Sequence, residues 1–233
     1  MTKISFLCTT ALKSTLDTML AQFERAAGCT VDVSYGPSAR LVTRLNDGEA
    51  ADAAVLTGPG FDAMAKAGKV DAATRLPIAR SATMVAVKKG TAKPDIATPE
   101  QFKQALLSAR SIAYSGPGAG ASGAHIAKVV EQLGIAEAIR PKTVLGPGGP
   151  EGLIGNYLVR GEAEIGIQQD SELMSVPGVE IVGPLPAGFA LTTEFVFGVR
   201  TNCAHAGVAK ALGQFLRSPT MLAAMTDKGL TPA

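Results

Sequence analysis

The sequence has no tryptophan, and aromatic residues make up only 5% of its 233 residues. Sugar-binding clefts rely on flat aromatic faces, and proteins that bind single-stranded nucleic acid stack the bases on aromatic side chains. The formal net charge is +2, and no basic run is longer than a pair such as Lys88-Lys89. The composition therefore argues against a carbohydrate or a nucleic acid as the main ligand.

Cysteine is also scarce. The chain has three, far apart in the sequence: Cys8, Cys29 and Cys203. An odd count without CxxC spacing predicts neither a disulfide framework nor a zinc site. Each cysteine is expected to be a small buried side chain. Cys8 is kept as a candidate for chemistry because it ends the first predicted strand. Neither a metal nor a cofactor is expected.

Long apolar runs are missing as well, because no 18 consecutive residues are apolar. The N-terminal residues lead directly into a strand pattern, without an apolar stretch and a small-residue cleavage site. No membrane insertion is expected. Two locations stay open: the cytoplasm for the chain as written, or the periplasm if an export signal has been removed.

Hydrophobic residues make up 46% of the chain, and strand patterns alternate with helix patterns along it. This alternation predicts an α/β fold with parallel strands whose loops gather at the carboxyl edge of the sheet, where such sheets bind ligands. Residues 4–8 read as an apolar strand. Residues 11–27 carry apolar side chains at helical spacing, and Gly28 is placed to end that helix.

Three early strands end in loops rich in serine, threonine and glycine. The candidate ligand-binding hydroxyls in these loops are Thr9, Thr10, Ser38 and Thr57. The alternative interpretation is that each hydroxyl only caps the helix that follows it.

The loop between residues 115 and 121 is made of small residues and opens a helix predicted over 122–133. A helix start leaves backbone N–H groups unpaired and carries partial positive charge, so this loop is a candidate seat for a small anion. The candidate ligand-binding residues here are Ser115, Gly120, Ala121 and Ser122. The alternative is a flexible connection between a strand and a helix.

Two later loops add candidates. Gly149 precedes a helix predicted over 151–160, and Gln168 follows a strand predicted over 163–167, with Asp170 expected to cap the next helix. Further along, a strand is predicted over 83–88, entered through residues 77–81. Thr98 is expected to cap a helix, and Asn202 is expected to cap one that begins near residue 204.

The order of these elements resembles the two-lobed type II periplasmic substrate-binding proteins, in particular their molybdate-binding branch. The similarity covers nearly the whole chain. The motifs that carry it are Thr9-Thr10-Ala11-Leu12, Tyr35-Gly36-Pro37-Ser38, Asp52-Ala53-Ala54-Val55, Arg160-Gly161-Glu162-Ala163 followed by Ile165-Gly166-Ile167, and Phe215-Leu216-Arg217-Ser218-Pro219.

The resemblance implies two lobes, one formed by residues 1–79 with 190–233 and the other by residues 80–189. Each lobe would be a mostly parallel sheet flanked by helices. Two crossover strands would form a hinge, and the ligand would bind in the cleft between the lobes. The family positions that bind oxyanions correspond here to Thr10, Ser38 and Gly120–Ser122.

Two residues depart from the molybdate pattern. Arg80 is not a molybdate-type feature, and its guanidinium is suited to a carboxylate, although a surface arginine is the alternative. The molybdate family often has a tyrosine after the Gly-Ile strand, where this chain has Gln168-Gln169. The Gln168-Gln169 replacement weakens the prediction of a tetrahedral oxyanion.

The resemblance implies a solute-binding protein for a small anion, either an oxyanion or a di- or tricarboxylate, with an ABC transporter as partner if the protein is exported. Aconitate isomerase is similar to this branch, which gives an isomerase of an unsaturated tricarboxylate as the alternative. Such an enzyme needs a base, for which the candidates are Glu194, His125 and Cys8. A third possibility is a ligand-sensing module with a separate partner chain.

Overall fold

The structure is a computed structural model that describes residues 2–233. It contains strands and helices in alternation, joined in places by short 3-10 turns. In chain order the elements are β1 (Thr2–Thr9), α1 (Lys13–Ala27), β2 (Cys29–Gly36), α2 (Ser38–Asn46), β3 (Ala53–Thr57), α3 (Gly58–Lys66), β4 (Leu76–Lys88), α4 (Pro99–Ser108), β5 (Ile112–Ser115), α5 (Ala121–Gln132), α6 (Ala136–Ile139), β6 (Thr143–Gly146), α7 (Ile154–Arg160), β7 (Ile165–Gln169), α8 (Asp170–Met174), β8 (Val179–Pro184), β9 (Thr192–Val199), α9 (Ala206–Leu216), α10 (Pro219–Thr226) and β10 (Thr231–Pro232).

The chain forms two compact units. Unit 1 comprises the residues up to Arg80 together with Thr193–Ala233, and unit 2 comprises Ser81–Thr192. The chain passes from unit 1 to unit 2 within β4 and returns near the start of β9.

Unit 1 is built on the strand order β2-β1-β3-β9, in which β1 is parallel to β2 and β3, and β9 is antiparallel to β3. Alternate residues of β1 bury both faces of the sheet. Phe6 packs with Leu16 of α1 on one face, while Leu7 packs with Leu41 and Phe61 on the other. The carboxyl ends of β1, β2 and β3 therefore lie along one edge, the carboxyl edge of unit 1.

Unit 2 is built on the strand order β4-β7-β5-β6, with β5 parallel to both β7 and β6 and β4 antiparallel to β7. Ile112 and Ile126 belong to the core on one face of the sheet, and Ala113 and Ile154 to the core on the other. Because β4 is antiparallel, its early residues lie beside the carboxyl ends of β5, β6 and β7. This edge is called the carboxyl edge of unit 2.

The structure confirms two predicted helix boundaries, the end of α1 at Gly28 and the start of α4 at Thr98. Gly28 follows α1 in the left-handed conformation, with φ +61°. Thr98 caps α4 through a capping box: its hydroxyl accepts from the Gln101 backbone N–H, and the Gln101 side chain accepts from the Thr98 backbone N–H.

Two of the predicted boundaries were wrong because long-range pairing decided them. The strand expected from residue 83 begins at Leu76, since β10 pairs with Ala79 and Arg80. The helix expected over 151–160 is divided into a 3-10 turn, Pro150–Gly152, and α7. Leu153 between them has extended dihedral angles.

Two predicted caps were also wrong. Asp170 is the first residue of α8, and Gln169 at the N-cap position makes no side-chain capping bond. Asn202 has φ +57° in a turn, and α9 begins only at Ala206. Asparagine tolerates the left-handed conformation better than most residues, so its local hydrogen-bonding tendency is used in a turn rather than at a helix start.

Among residues 2–233, no helix is long and apolar enough to cross a membrane.

The capping box predicts a measurable contribution of Thr98 to stability. Thr98→Ala removes one of the two reciprocal bonds, and we expect the free energy of unfolding to fall by about 1 kcal/mol. Gln104→Ala, on the same helix but at an exposed position, is the control and should change it little. Denaturant titration of both variants measures the difference, and an equal effect would contradict the capping role.

Candidate functional site

At the carboxyl edge of unit 1, the end of β1 places two threonines where the chain enters a 3-10 turn. Thr9 and Thr10 are each 5% exposed, and the Thr9 side chain makes no capping bond. Among residues 2–233, nothing forms a hydrogen bond with the buried Thr10 hydroxyl. Buried hydroxyls are nearly always bonded, so Thr10 keeps hydrogen-bonding capacity that a ligand can use.

Ser38 and Thr57 lie together at the same edge, although 19 residues separate them. The Ser38 hydroxyl accepts from the Thr57 backbone N–H at 2.8 Å and lies 3.2 Å from the Thr57 hydroxyl. Thr57 also caps α3 by accepting from the Gly60 N–H. The capping interpretation therefore applies to Thr57, whereas Ser38, in the first turn of α2, links the loops that follow β2 and β3.

Arg80 and Glu194 meet beside the carboxyl end of β3. Glu194 Oε2 lies 3.2 Å from Arg75 Nη2, and Glu194 Oε1 lies 3.8 Å from Arg80 Nη2. A Cβ at Gly58, the first residue of α3, would lie 3.3 Å from Glu194 Oε2. Glu194 is thus a counter-ion for two guanidinium groups, which does not suit a free catalytic base. Arg80 is half-exposed and only loosely paired.

The two other base candidates are occupied or enclosed. Cys8 is fully buried in the core of unit 1, and burial raises the pKa of its thiol well above the ordinary value, so the thiolate is disfavoured. His125 Nε2 lies 2.7 Å from the Phe189 carbonyl oxygen. A carbonyl oxygen only accepts, so Nε2 must carry the hydrogen in this contact and is not the ring nitrogen that could act as a base.

In unit 2, the loop after β5 forms a tight start to α5. Ser115 and Ser122 are 3% and 4% exposed, and Gly120 precedes Ala121 at the helix start. A Cβ at Gly123 would overlap the carbonyl oxygens of Ser115 and Gly116. Glycine at this position therefore brings the helix start directly against the strand end, and the unpaired N–H groups at that start are available to an anion.

The loop after β6 packs against this seat. The Gly116 N–H donates to the Gly146 carbonyl at 2.9 Å. Gly148 has φ +71°, and a Cβ there would overlap the Ala119 carbonyl oxygen. Gly149, the next residue, is buried and also has a positive φ of 79°. Both glycines are needed because they hold one loop against the other in a conformation that other residues rarely adopt.

Gln168 is used by the fold itself. Its side chain is 1% exposed, and its Oε1 accepts from the Ile154 N–H at 2.7 Å at the start of α7. Its Nε2 donates to the Ser115 hydroxyl at 3.5 Å. Both ends of the amide are therefore engaged within unit 2, and the side chain joins the carboxyl ends of β5 and β7.

Sequence reasoning missed several polar residues at this edge. Among residues 2–233, three buried atoms at this edge have no hydrogen-bond partner: Thr83 Oγ1, Gln169 Oε1 and Asp170 Oδ1. Burial raises the pKa of Asp170, and it raises the pKa of Glu172 to about 7 in spite of a hydrogen bond to Gln168 that acts in the opposite direction. The sequence shows acidic residues directly after an apolar strand, but Asp170 was interpreted as a helix cap.

Two further observations limit the chemistry. Within residues 2–233, no group of three His, Cys, Asp or Glu side chains is placed to hold a metal ion. A separate groove of about 580 Å³ lies on unit 2 near the amino ends of β5 and β7. Its lining includes Lys88, Lys93, Arg110 and Glu164. Arg110 is already paired with Glu164, and Lys93 with Glu180.

Comparison with known proteins gives consistent similarities. The sequence model of the family described as "Bacterial extracellular solute-binding protein" matches residues 4–231. A protein from Pseudomonas sp. named aconitate isomerase is 31% identical over 237 residues, covering 99% of this chain and 88% of that protein.

Solved structures are similar over the whole fold. The periplasmic molybdate-binding protein of Azotobacter vinelandii superposes with a TM-score of 0.78 at 18% identity, covering 98% of both chains. The sulfate-binding protein SubI from Mycobacterium tuberculosis H37Rv gives a TM-score of 0.79 at 20% identity, covering 100% of this chain and 88% of that one. These similarities confirm the predicted type II periplasmic-binding-protein fold.

The close approach at Gly123 predicts a sharp steric effect. Gly123→Ala forces α5 away from the end of β5, and we expect a loss of about 1–3 kcal/mol in the free energy of unfolding, as for other overpacked sites. Gly207→Ala is the control because no atom lies within 4 Å of its added Cβ. Thermal unfolding of both variants makes the comparison, and an unchanged Gly123→Ala protein would contradict the packing described.

Proposed function

The chain belongs to the bacterial extracellular solute-binding protein family, and we propose that its ligand is a small anion of the di- or tricarboxylate class. Backbone N–H groups and neutral hydroxyls, such as those of Thr10 and Ser38, suit any small oxyanion. A carboxylate ligand is favoured by one further group, the guanidinium of Arg80.

Arg80 is the observation on which this choice depends. Its side chain is 50% exposed, and its nearest carboxylate oxygen, on Glu194, is 3.8 Å away. Arg75 holds the same carboxylate more closely, at 3.2 Å. Most of the Arg80 N–H donors therefore stay available, and their planar fork matches a carboxylate. A carboxylate bound there would lie next to the Thr57–Gly58 turn.

We further propose that the protein acts in the periplasm and delivers its ligand to an ABC transporter. The family description, which names extracellular solute-binding proteins, supports this location over the cytoplasm. The small net charge of +2 is compatible with a protein whose selectivity comes from local donors rather than from a strong overall field.

A second candidate function is isomerisation of an unsaturated tricarboxylate on the same scaffold. The relative named aconitate isomerase favours it, because its 31% identity extends over nearly the whole chain. Interconversion of the cis and trans forms of aconitate needs carboxylate-binding groups and one group that moves a proton. In unit 2 the proposed carboxylate-binding group is the set of backbone N–H groups at the start of α5.

A thermal-shift panel tests the ligand class. Citrate, cis-aconitate and trans-aconitate should raise the melting temperature, since a ligand at 100 times its Kd adds about 2.7 kcal/mol of stability. Molybdate, tungstate and sulfate should raise it less. Stabilisation by molybdate alone would contradict the carboxylate assignment, and an ultraviolet assay of aconitate interconversion then separates binding from turnover.

Replacement of Arg80 tests the residue. Arg80→Ala should weaken carboxylate binding by about tenfold to a hundredfold, the effect of losing a hydrogen bond to a charged group. Arg140→Ala is the matched control, because Arg140 is an exposed arginine paired with Glu137. Calorimetric titration with a tricarboxylate measures both variants, and equal affinities would contradict the role of Arg80.

A further inference from the structure

At the carboxyl edge of unit 2, three neighbouring residues each have a polar side-chain atom without a hydrogen-bond partner. Thr83 and Gln169 are directly opposite each other on β4 and β7, and Asp170 follows Gln169. Thr83 is 1% exposed and Gln169 is 6% exposed. Within residues 2–233, neither Thr83 Oγ1, Gln169 Oε1 nor Asp170 Oδ1 has a hydrogen-bond partner.

Leaving such groups unpaired is costly. A buried polar atom without a partner costs about 1–3 kcal/mol, and more if it is charged. The neighbouring polar side chains are already engaged with each other, since the Ser81 hydroxyl lies 3.4 Å from the Ser171 hydroxyl and accepts from the Ser171 N–H. Of the three unpartnered atoms, the Thr83 hydroxyl can donate to a carboxylate of a bound molecule, whereas Gln169 Oε1 and Asp170 Oδ1 are acceptors that need a donor.

The sheet places these groups beside the start of α5, which is the candidate anion-binding site of unit 2. β5 and β7 are adjacent parallel strands, with Tyr114 opposite Ile167. Ser115 and Gln168, the next residues, are linked by their side chains. The loop that opens α5 and the Gln169–Asp170 pair consequently leave the same edge of the same sheet, on neighbouring strands. A carboxylate bound at the start of α5 would bring the rest of a tricarboxylate towards Asp170.

We propose that Asp170 is a catalytic residue that carries the proton in an allylic shift on a bound unsaturated tricarboxylate, with the Thr83 hydroxyl donating to the reacting end. This inference rests on the isomerase candidate above. Asp170 is suited to the task because one of its oxygens is buried without a donor, which favours its uptake of a proton.

The proposed step is balanced without any co-reactant. The Asp170 carboxylate takes a proton from the methylene carbon of the substrate, and the electron pair of that C–H bond enters the adjoining double-bond system. The double bond moves by one position when the Asp170 carboxyl returns the proton to the carbon at its far end. Asp170 is a carboxylate again, and the substrate has changed between its cis and trans forms with no net oxidation.

Asp170→Asn tests the assignment, because the amide keeps the size of the carboxyl but cannot take up the proton. Proton NMR in D2O follows cis- and trans-aconitate, and thermal shift with tricarballylate, the saturated analogue, follows binding. We expect interconversion and deuterium uptake to fall at least about 100-fold, with stabilisation by tricarballylate retained. Glu172→Gln, a change at a half-buried carboxyl in the same turn, should stay near the wild-type rate.

Each other outcome is decisive. A normal rate for Asp170→Asn, or a loss of activity in Glu172→Gln alone, would overturn the assignment to Asp170. A wild-type protein that tricarballylate stabilises but that neither interconverts aconitate nor exchanges deuterium would overturn the proton shift and leave the binding function standing. If no tricarboxylate stabilises the wild-type protein, the proposed ligand class fails as well.

Discussion

The main constraint on this structure is that polar groups at the carboxyl ends of its parallel strands lack hydrogen-bond partners. There the chain turns into helices whose first N–H groups have no partner of their own, and several buried side chains add to the deficit. Thr10 does so in unit 1, and Thr83, Gln169 and Asp170 do so in unit 2. A fold that leaves donors unpaired loses stability, and an anionic ligand that accepts from these N–H groups and hydroxyls restores it. The unpaired oxygens of Gln169 and Asp170 are acceptors, which need a donor instead.

The two units carry different polar groups at these strand ends. Unit 1 offers hydroxyls, with Ser38 and Thr57 in contact, and a guanidinium on Arg80 beside Glu194. Unit 2 offers the backbone of the α5 start and, one strand away, the carboxyl groups of Asp170 and Glu172, whose pKa values burial raises. Hydroxyls and N–H groups suit oxyanions in general, whereas the planar fork of a guanidinium matches a carboxylate, which is the ligand class we propose. A protonatable carboxyl such as that of Asp170 is a group that simple anion binding does not need.

Local signals in the sequence were sufficient for much of the fold. The glycine at position 28 and the Thr98–Gln101 capping box set helix boundaries through contacts within a few residues, and both predictions are confirmed. The start of β4 and the break before α7 could not be predicted in this way, because they depend on β10 and on Gln168, which are distant in sequence. The same limit affected the site: Asp170 was assigned to capping, and Glu194 was considered a base because its pairing with Arg75 and Arg80 is not visible in the chain order.

The most direct test is an NMR titration of the backbone amides with tricarballylate. We predict that the largest shift changes occur at the carboxyl edges, at residues 10–12 and 38–39 in unit 1 and at residues 115–123 and 168–171 in unit 2. Changes concentrated instead at residues 87–94 and 105–110, which line the groove near the opposite edge of the unit 2 sheet, would contradict it.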